Sequence, residues 1–124
     1  MFLLLQVARS PLGRLTLGLL FAHMSFAIPV QRLRETRTLI AFQHPRPSYP
    51  VHILLVPKRA RASLAELTPA DSDFTADLFE AVNSLVAELK LEQNGYRLIV
   101  NGGAYQDVAQ LHFHLIAEKR NNAP

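Results

Sequence analysis

Gln110, His112 and His114 stand two residues apart in the segment Gln110-Leu111-His112-Phe113-His114-Leu115-Ile116. On a strand, successive side chains point to opposite faces, so this spacing predicts three polar groups on one face and Leu111, Phe113 and Leu115 on the other. Two imidazoles held in this way form a convergent polar face. Its natural uses are nucleophilic or proton-transfer chemistry at phosphate, or metal ligation. A neutral imidazole attacks phosphorus well near neutral pH, and the phosphoramidate it forms is labile enough to hand the group to water. His52 is the polar exception in the apolar run 51–56, and alone on such a strand it reads as a satisfied core histidine. Three imidazoles can also hold zinc with one open position, although no carboxylate or cysteine stands at a clear ligand spacing to help.

Such a face needs a scaffold, and the composition allows one. At 124 residues, 49% apolar and 19% charged, the chain has room for one domain with one core. Thirteen basic residues against ten acidic ones give a net charge of +3, which suits a small anionic ligand. The basic groups are dispersed apart from Lys58, Arg59 and Arg61, and stacking motifs with interleaved aromatics are missing, so extended nucleic acid is not an expected partner. The absence of cysteine excludes disulfides, thiolate zinc sites and cysteine nucleophiles. The nearly apolar run 15–30, preceded by Arg9 and Arg14 and containing Ser25-Phe26-Ala27, superficially resembles an export signal. It is shorter than the roughly 20 residues of a membrane span, carries His23 and ends at Pro29. It is therefore read as a buried or dimer-facing helix, with no membrane contact expected and His23 a packing or surface residue.

The elements follow from the pattern. A short helix is expected over 17–26, ending before Pro29. Strands are expected over 30–35 and 38–43, joined by a hairpin at Glu35-Thr36-Arg37. Three prolines within residues 44–50 make a stiff loop, and 51–56 follows as a central strand. Thr68-Pro69-Ala70-Asp71 opens the long helix with a capping residue, a proline at the first helical position and a carboxylate three residues after the threonine. Phe74, Leu78, Val82, Leu85 and Leu89 recur down one face, and Asn94-Gly95 is the expected stop. Strands are expected again over 96–101 and 109–117, with Gly102-Gly103 permitting a tight backbone between them. The sum is an α+β domain: an antiparallel sheet of four to five strands, one long helix and a short N-terminal helix.

The order His44-Pro-Arg-Pro-Ser-Tyr-Pro-Val-His52-Ile-Leu-Leu-Val-Pro-Lys58, then Tyr96-Arg-Leu-Ile-Val-Asn101-Gly-Gly, then Gln106-Asp-Val-Ala-Gln-Leu-His112-Phe-His114-Leu-Ile116, closely resembles the histidine triad (HIT) family of nucleotide hydrolases and transferases. The likeness runs from about Phe21 to Ala117. It divides the chain into an N-terminal extension, 1–18, a HIT-like domain, 19–118, and a tail, 119–124. That family's signature alternates three histidines with apolar residues. The resemblance implies that His112, in the central position, attacks the α-phosphate of a nucleotide conjugate and forms a nucleotidyl-histidine intermediate. It implies that His114 donates to phosphate oxygens, that His52 joins from the next strand, and that Asn101 and Gln106 hold the phosphate site. It further implies a homodimer, a small-molecule nucleotide substrate, no cofactor and no obligatory metal, and the expected location is the cytoplasm.

The chain departs from that pattern at three positions. Gln110 replaces the first histidine, keeping an amide in the phosphate site but losing a group that titrates near neutrality. Asp107 stands near the leaving group, where a small hydroxyl residue is usual, and could repel phosphate if ionised or serve as an acid if protonated. His44 stands where an acidic residue usually grips the ribose hydroxyls. The glycine loop before Gln106 is also shorter than in the nucleoside phosphoramidase branch. These departures keep a second reading open, a nucleotide-binding regulatory or interaction module with weak or no turnover.

Overall fold

The structure, a computed structural model, describes residues 31–119. The extension 1–18, the helix expected over 17–26 and the tail beyond Lys119 lie outside the described residues. Five strands form one antiparallel sheet: β1 (Arg32–Glu35), β2 (Leu39–Gln43), β3 (Val51–Pro57), β4 (Arg97–Val100) and β5 (Phe113–Ala117), in the order β1-β2-β3-β5-β4. A 17-residue helix, α1 (Ser72–Glu88), connects β3 to β4. The α+β reading therefore holds, with five strands.

Residue alternation sorts the sheet into two faces. Leu39, Ala41, Val51, Ile53, Leu55, Phe113 and Leu115 point to one side and pack against Phe74, Leu78, Ala81, Val82, Leu85 and Val86 of α1. Burying each large side chain contributes about 1.5–3 kcal/mol, whereas a good helix cap contributes about 1 kcal/mol. The apolar stripe therefore holds α1 in place, and capping is the smaller contribution. The expected capping box forms, Thr68 Oγ1 accepting from the Ala70 amide and Asp71 Oδ2 from the Thr68 amide at 3.1 Å, but it caps a 3-10 turn, Pro69–Asp71, that leads into α1 at Ser72. Asp71 is also clamped by Arg61, whose Nη2 lies 2.9 Å from Oδ1. The Arg61 guanidinium, with the Thr68 amide, holds the Asp71 carboxyl below the usual carboxylate range.

Two boundaries differ from the expectation. The helix ends at Glu88 and not at Asn94-Gly95, because Lys90 adopts a left-handed φ of 56°. The Lys90 amide then donates to Ala87 O and the Leu91 amide to Val86 O, the paired reverse bonds of a Schellman cap, with Leu91 buried beneath them. Gly95, with φ 93°, serves the turn into β4. The strand expected over 109–117 begins only at Phe113, since residues 108–110 bend and the Leu111 amide donates to Arg61 O at 2.7 Å.

Opposite the helix, the other face of the sheet carries Ile40, Phe42, Val56 and Leu54, and beside them His52 and His114. No helix covers this side among the described residues. Ile40, Phe42, Val56 and His52 are nevertheless buried on this side, so both faces of the sheet carry core.

Candidate active site

Strand register brings the histidines together. In the β3–β5 pair His52 faces Ile116 and Leu54 faces His114, so His52 and His114 are diagonal neighbours on one face. Their rings meet with His52 Nε2 3.0 Å from His114 Nδ1. Gln43 pairs with Ile53, and the His44 amide donates to His52 O at 2.8 Å, continuing that register by one residue. His44 and His52 therefore sit opposite each other, and their rings stack at 4.3 Å between centroids. His112 stands just before β5, its ring centroid 5.0 Å from that of His114. Four imidazoles run in a row, in the order His44, His52, His114, His112. Tyr49, which drew no attention in the sequence, stands edge-on to His52 at 5.5 Å.

Hydrogen bonds to groups of fixed polarity decide which nitrogen of each ring carries the proton. The Gln110 carbonyl can only accept, and it lies 2.7 Å from His112 Nδ1, so Nδ1 carries the hydrogen and Nε2 keeps its lone pair. The Ser48 amide can only donate, and it reaches His52 Nδ1 at 3.0 Å. The hydrogen of a neutral His52 is therefore on Nε2 and passes to His114 Nδ1, which leaves the hydrogen of neutral His114 on Nε2. The Arg46 amide does the same for His44, donating to Nδ1 at 2.9 Å. Burial favours the uncharged state of all three rings. His114 is pushed down to about 4 by burial and by the neighbouring imidazoles, with Asp107 opposing. His44 is pushed down to about 4 by burial and by His52 and His112, and burial also lowers His52.

The loop 44–50 explains how these bonds arise. Pro45, Pro47 and Pro50 fix the backbone and have no amide hydrogen to give. Two of the amides that remain, those of Arg46 and Ser48, are spent on imidazole nitrogens.

Gln110 is placed differently from the expectation. Its side chain is 2% exposed and turns away from the imidazole row, Nε2 donating to Pro57 O at 3.3 Å and Arg59 O at 3.2 Å. It anchors the bend before β5, with both of these bonds made to the segment after β3, while its backbone carbonyl orients His112. The amide of Gln106 is likewise engaged, donating to Ala62 O at 2.6 Å and Val108 O at 2.9 Å. Asn101 is half-buried at the end of β4, and Asp107 is exposed. The small basic cluster is largely paired, Lys58 with Glu35 at 2.9 Å and Arg61 with Asp71. His52 has both ring nitrogens committed, so the three-imidazole zinc site weighed from the sequence loses a ligand. Among the described residues no group of three or more His, Cys, Asp or Glu is arranged to hold a metal ion. Nor is any helix among them long and apolar enough to cross a membrane.

A row of imidazoles on a sheet face, one of them holding a lone pair beside donor hydrogens, has the chemistry to meet an anion. The HIT domain profile matches residues 25–121, and the chain belongs to the HIT domain family. It is 34% identical over 100 residues to an adenosine 5′-monophosphoramidase of Candida albicans, covering 74% of this chain and 64% of that one. A HIT-like protein of Azospirillum brasilense is 33% identical over 96 residues, covering 75% of this chain and 79% of its own. Among solved structures, a histidine triad protein from Clostridium difficile superposes with a TM-score of 0.70 at 30% identity, over 81% of this chain and 89% of the other. A HIT family hydrolase from Legionella pneumophila gives 0.71 at 28% identity, over 81% and 91%.

Proposed function

We propose that this chain hydrolyses or transfers the nucleotidyl group of a nucleotide conjugate through a covalent nucleotidyl-His112 intermediate. The observation that carries the reading is the 2.7 Å contact of His112 Nδ1 with the Gln110 carbonyl, which leaves Nε2 as the lone pair in the row. Kinship with HIT family hydrolases and with an adenosine 5′-monophosphoramidase supports the class of reaction.

In the first step the Nε2 lone pair of His112 forms a bond to the α-phosphorus, and the bond from phosphorus to the leaving group breaks, its electron pair departing with that group. The imidazole becomes cationic, and its Nδ1–H bond to the Gln110 carbonyl strengthens as the charge develops. Negative charge grows on the non-bridging oxygens at the same time. His114 Nε2–H is the donor that meets it, already oriented and so requiring no reorganisation. His52 acts through His114: by donating to His114 Nδ1 it keeps the hydrogen on the phosphate side. In the second step water attacks phosphorus, the nitrogen–phosphorus bond breaks, the lone pair returns to Nε2 and the proton of water passes to solvent. Asp107 is exposed on the loop before His112 and is placed by the resemblance near the leaving group, where in its protonated form it would supply a hydrogen. Asn101 and Gln106 shape the phosphate end, Gln106 by tying its loop to Ala62 and Val108.

The test is turnover of adenosine phosphoramidate, dinucleoside polyphosphates and other nucleotide conjugates by the intact chain and by His112→Asn. Product that disappears with His112→Asn supports the enzyme. Tight binding of nucleotide without product supports the binding module instead.

A further inference from the structure

The fourth imidazole is not needed for the displacement at phosphorus. His44 lies at the far end of the row from His112, with its ring centroid 4.3 Å from His52 and 6.3 Å from His114. It is half-buried on the same face of the sheet. Its Nδ1 is occupied by the Arg46 amide at 2.9 Å, so the neutral ring can offer a ligand only the hydrogen on Nε2. Capping the turn at Arg46 needs nothing more than an acceptor, which an Asn, Asp or Ser side chain would supply equally well. An imidazole there adds a donor on its other nitrogen.

Polarity at this position decides what the neighbouring part of a ligand can be. A carboxylate would accept the hydrogens of a pair of hydroxyls. His44 offers no free acceptor to them, and His52 offers none either, both of its nitrogens being engaged. An acceptor-only group, above all an anion, is the complement of a donor. The centroids of His44 and His114 are 6.3 Å apart, so a ligand that spans both rings can present a separate acceptor to each. We propose that His44 selects a substrate carrying a second acidic group, most simply a second phosphate on the sugar, beside the phosphate that His112 attacks. This rests on the phosphate-site reading above and adds to it the class of substrate.

Binding of AMP and of adenosine 2′,5′- and 3′,5′-bisphosphate to the intact chain, measured by calorimetry alongside His44→Ala and His44→Asp, tests it. A charge-assisted hydrogen bond to the second phosphate makes at least one bisphosphate bind about tenfold or more tightly than AMP. His44→Ala brings the ratio to about one, and His44→Asp inverts it in favour of AMP through like-charge repulsion. Far-UV circular dichroism checks that both variants are folded, and the comparison between ligands within each variant cancels any general loss of affinity. If AMP binds the parent chain and neither bisphosphate binds better, or if His44→Asp leaves the ratio unchanged, the selection by His44 is wrong while the phosphate site stands. If none of the three nucleotides binds, the phosphate-site reading falls, and this inference with it.

Discussion

The side chain of Gln110 bears less on the proposed chemistry than its place two residues before His112 implies, because the group that orients His112 is a backbone carbonyl. Any residue at 110 supplies that carbonyl provided the bend before β5 is kept. The side chain matters for the bend. Gln110→Ala leaves the Pro57 and Arg59 carbonyls without their donor and is expected to cost about 1–3 kcal/mol in a urea unfolding titration. In Gln110→His a single imidazole hydrogen satisfies one of these carbonyls, and turnover is expected to stay within tenfold of the parent chain. In the proposed mechanism His52 is a positioning residue of a different kind. His52→Phe fills the space but gives His114 Nδ1 no donor, so the hydrogen of His114 is free to shift to the wrong nitrogen. Misorientation of one catalytic group costs up to about 10²-fold in rate, and this loss should fall on kcat with KM nearly unchanged. Nitrogen chemical shifts of His114 would show the tautomer moving, which a merely structural defect would not produce. None of this proton placement was legible in the sequence. The His-x-His spacing located the rings, but their tautomers depend on amides of the 44–50 loop, and no pattern of residue types records where an amide points.

At the scale of elements, the sequence was most legible where one force dominates. The stripe from Phe74 to Leu85 predicted the buried face of α1, and Thr68 with Asp71 predicted a capping box, which forms on the turn leading into α1, since both signals act within a few residues of themselves. The reading failed where a tertiary contact outweighed a local signal. Period-two alternation put Gln110 and His112 on a strand, whereas hydrogen bonds from the Gln110 side chain and the Leu111 amide to residues 57–61 hold that stretch in a bend. Gly95 looked like the helix stop, but burial of Leu91 favours ending the helix earlier and forces a left-handed conformation on Lys90. A side chain in that conformation is strained by about 1–2 kcal/mol, of which glycine returns part as chain entropy. Lys90→Gly is therefore expected to stabilise the protein by about 0.5–1 kcal/mol, seen as a higher urea midpoint at unchanged slope. No gain, or a loss, would show that the Lys90 conformation is not strained.

For the whole molecule, clustering four histidines on one face makes stability depend on pH. His44 and His114 titrate near 4 in the folded chain and near the ordinary imidazole value of 6.5 once unfolded. Between those values the unfolded chain binds more protons, so the unfolding free energy falls as pH drops from about 6.5 to about 4. Below that, Asp71 adds a further loss, because its lowered carboxyl must be protonated before the Arg61 clamp releases. Urea titrations at steps across this range should show the decline, and His44→Asn or His114→Asn should flatten its upper part. A stability independent of pH over that window would mean that the rings are not held neutral. The claim on which the rest depends, a bond from His112 Nε2 to phosphorus, is read most directly from the mass of the intact chain after brief exposure to nucleotide conjugates without acid. The expected result is a gain of one nucleotidyl group, mapped to the peptide containing His112 and absent from His112→Asn. A folded, nucleotide-bound chain that acquires no such mass and releases no product, or that carries the group on another residue, would contradict it.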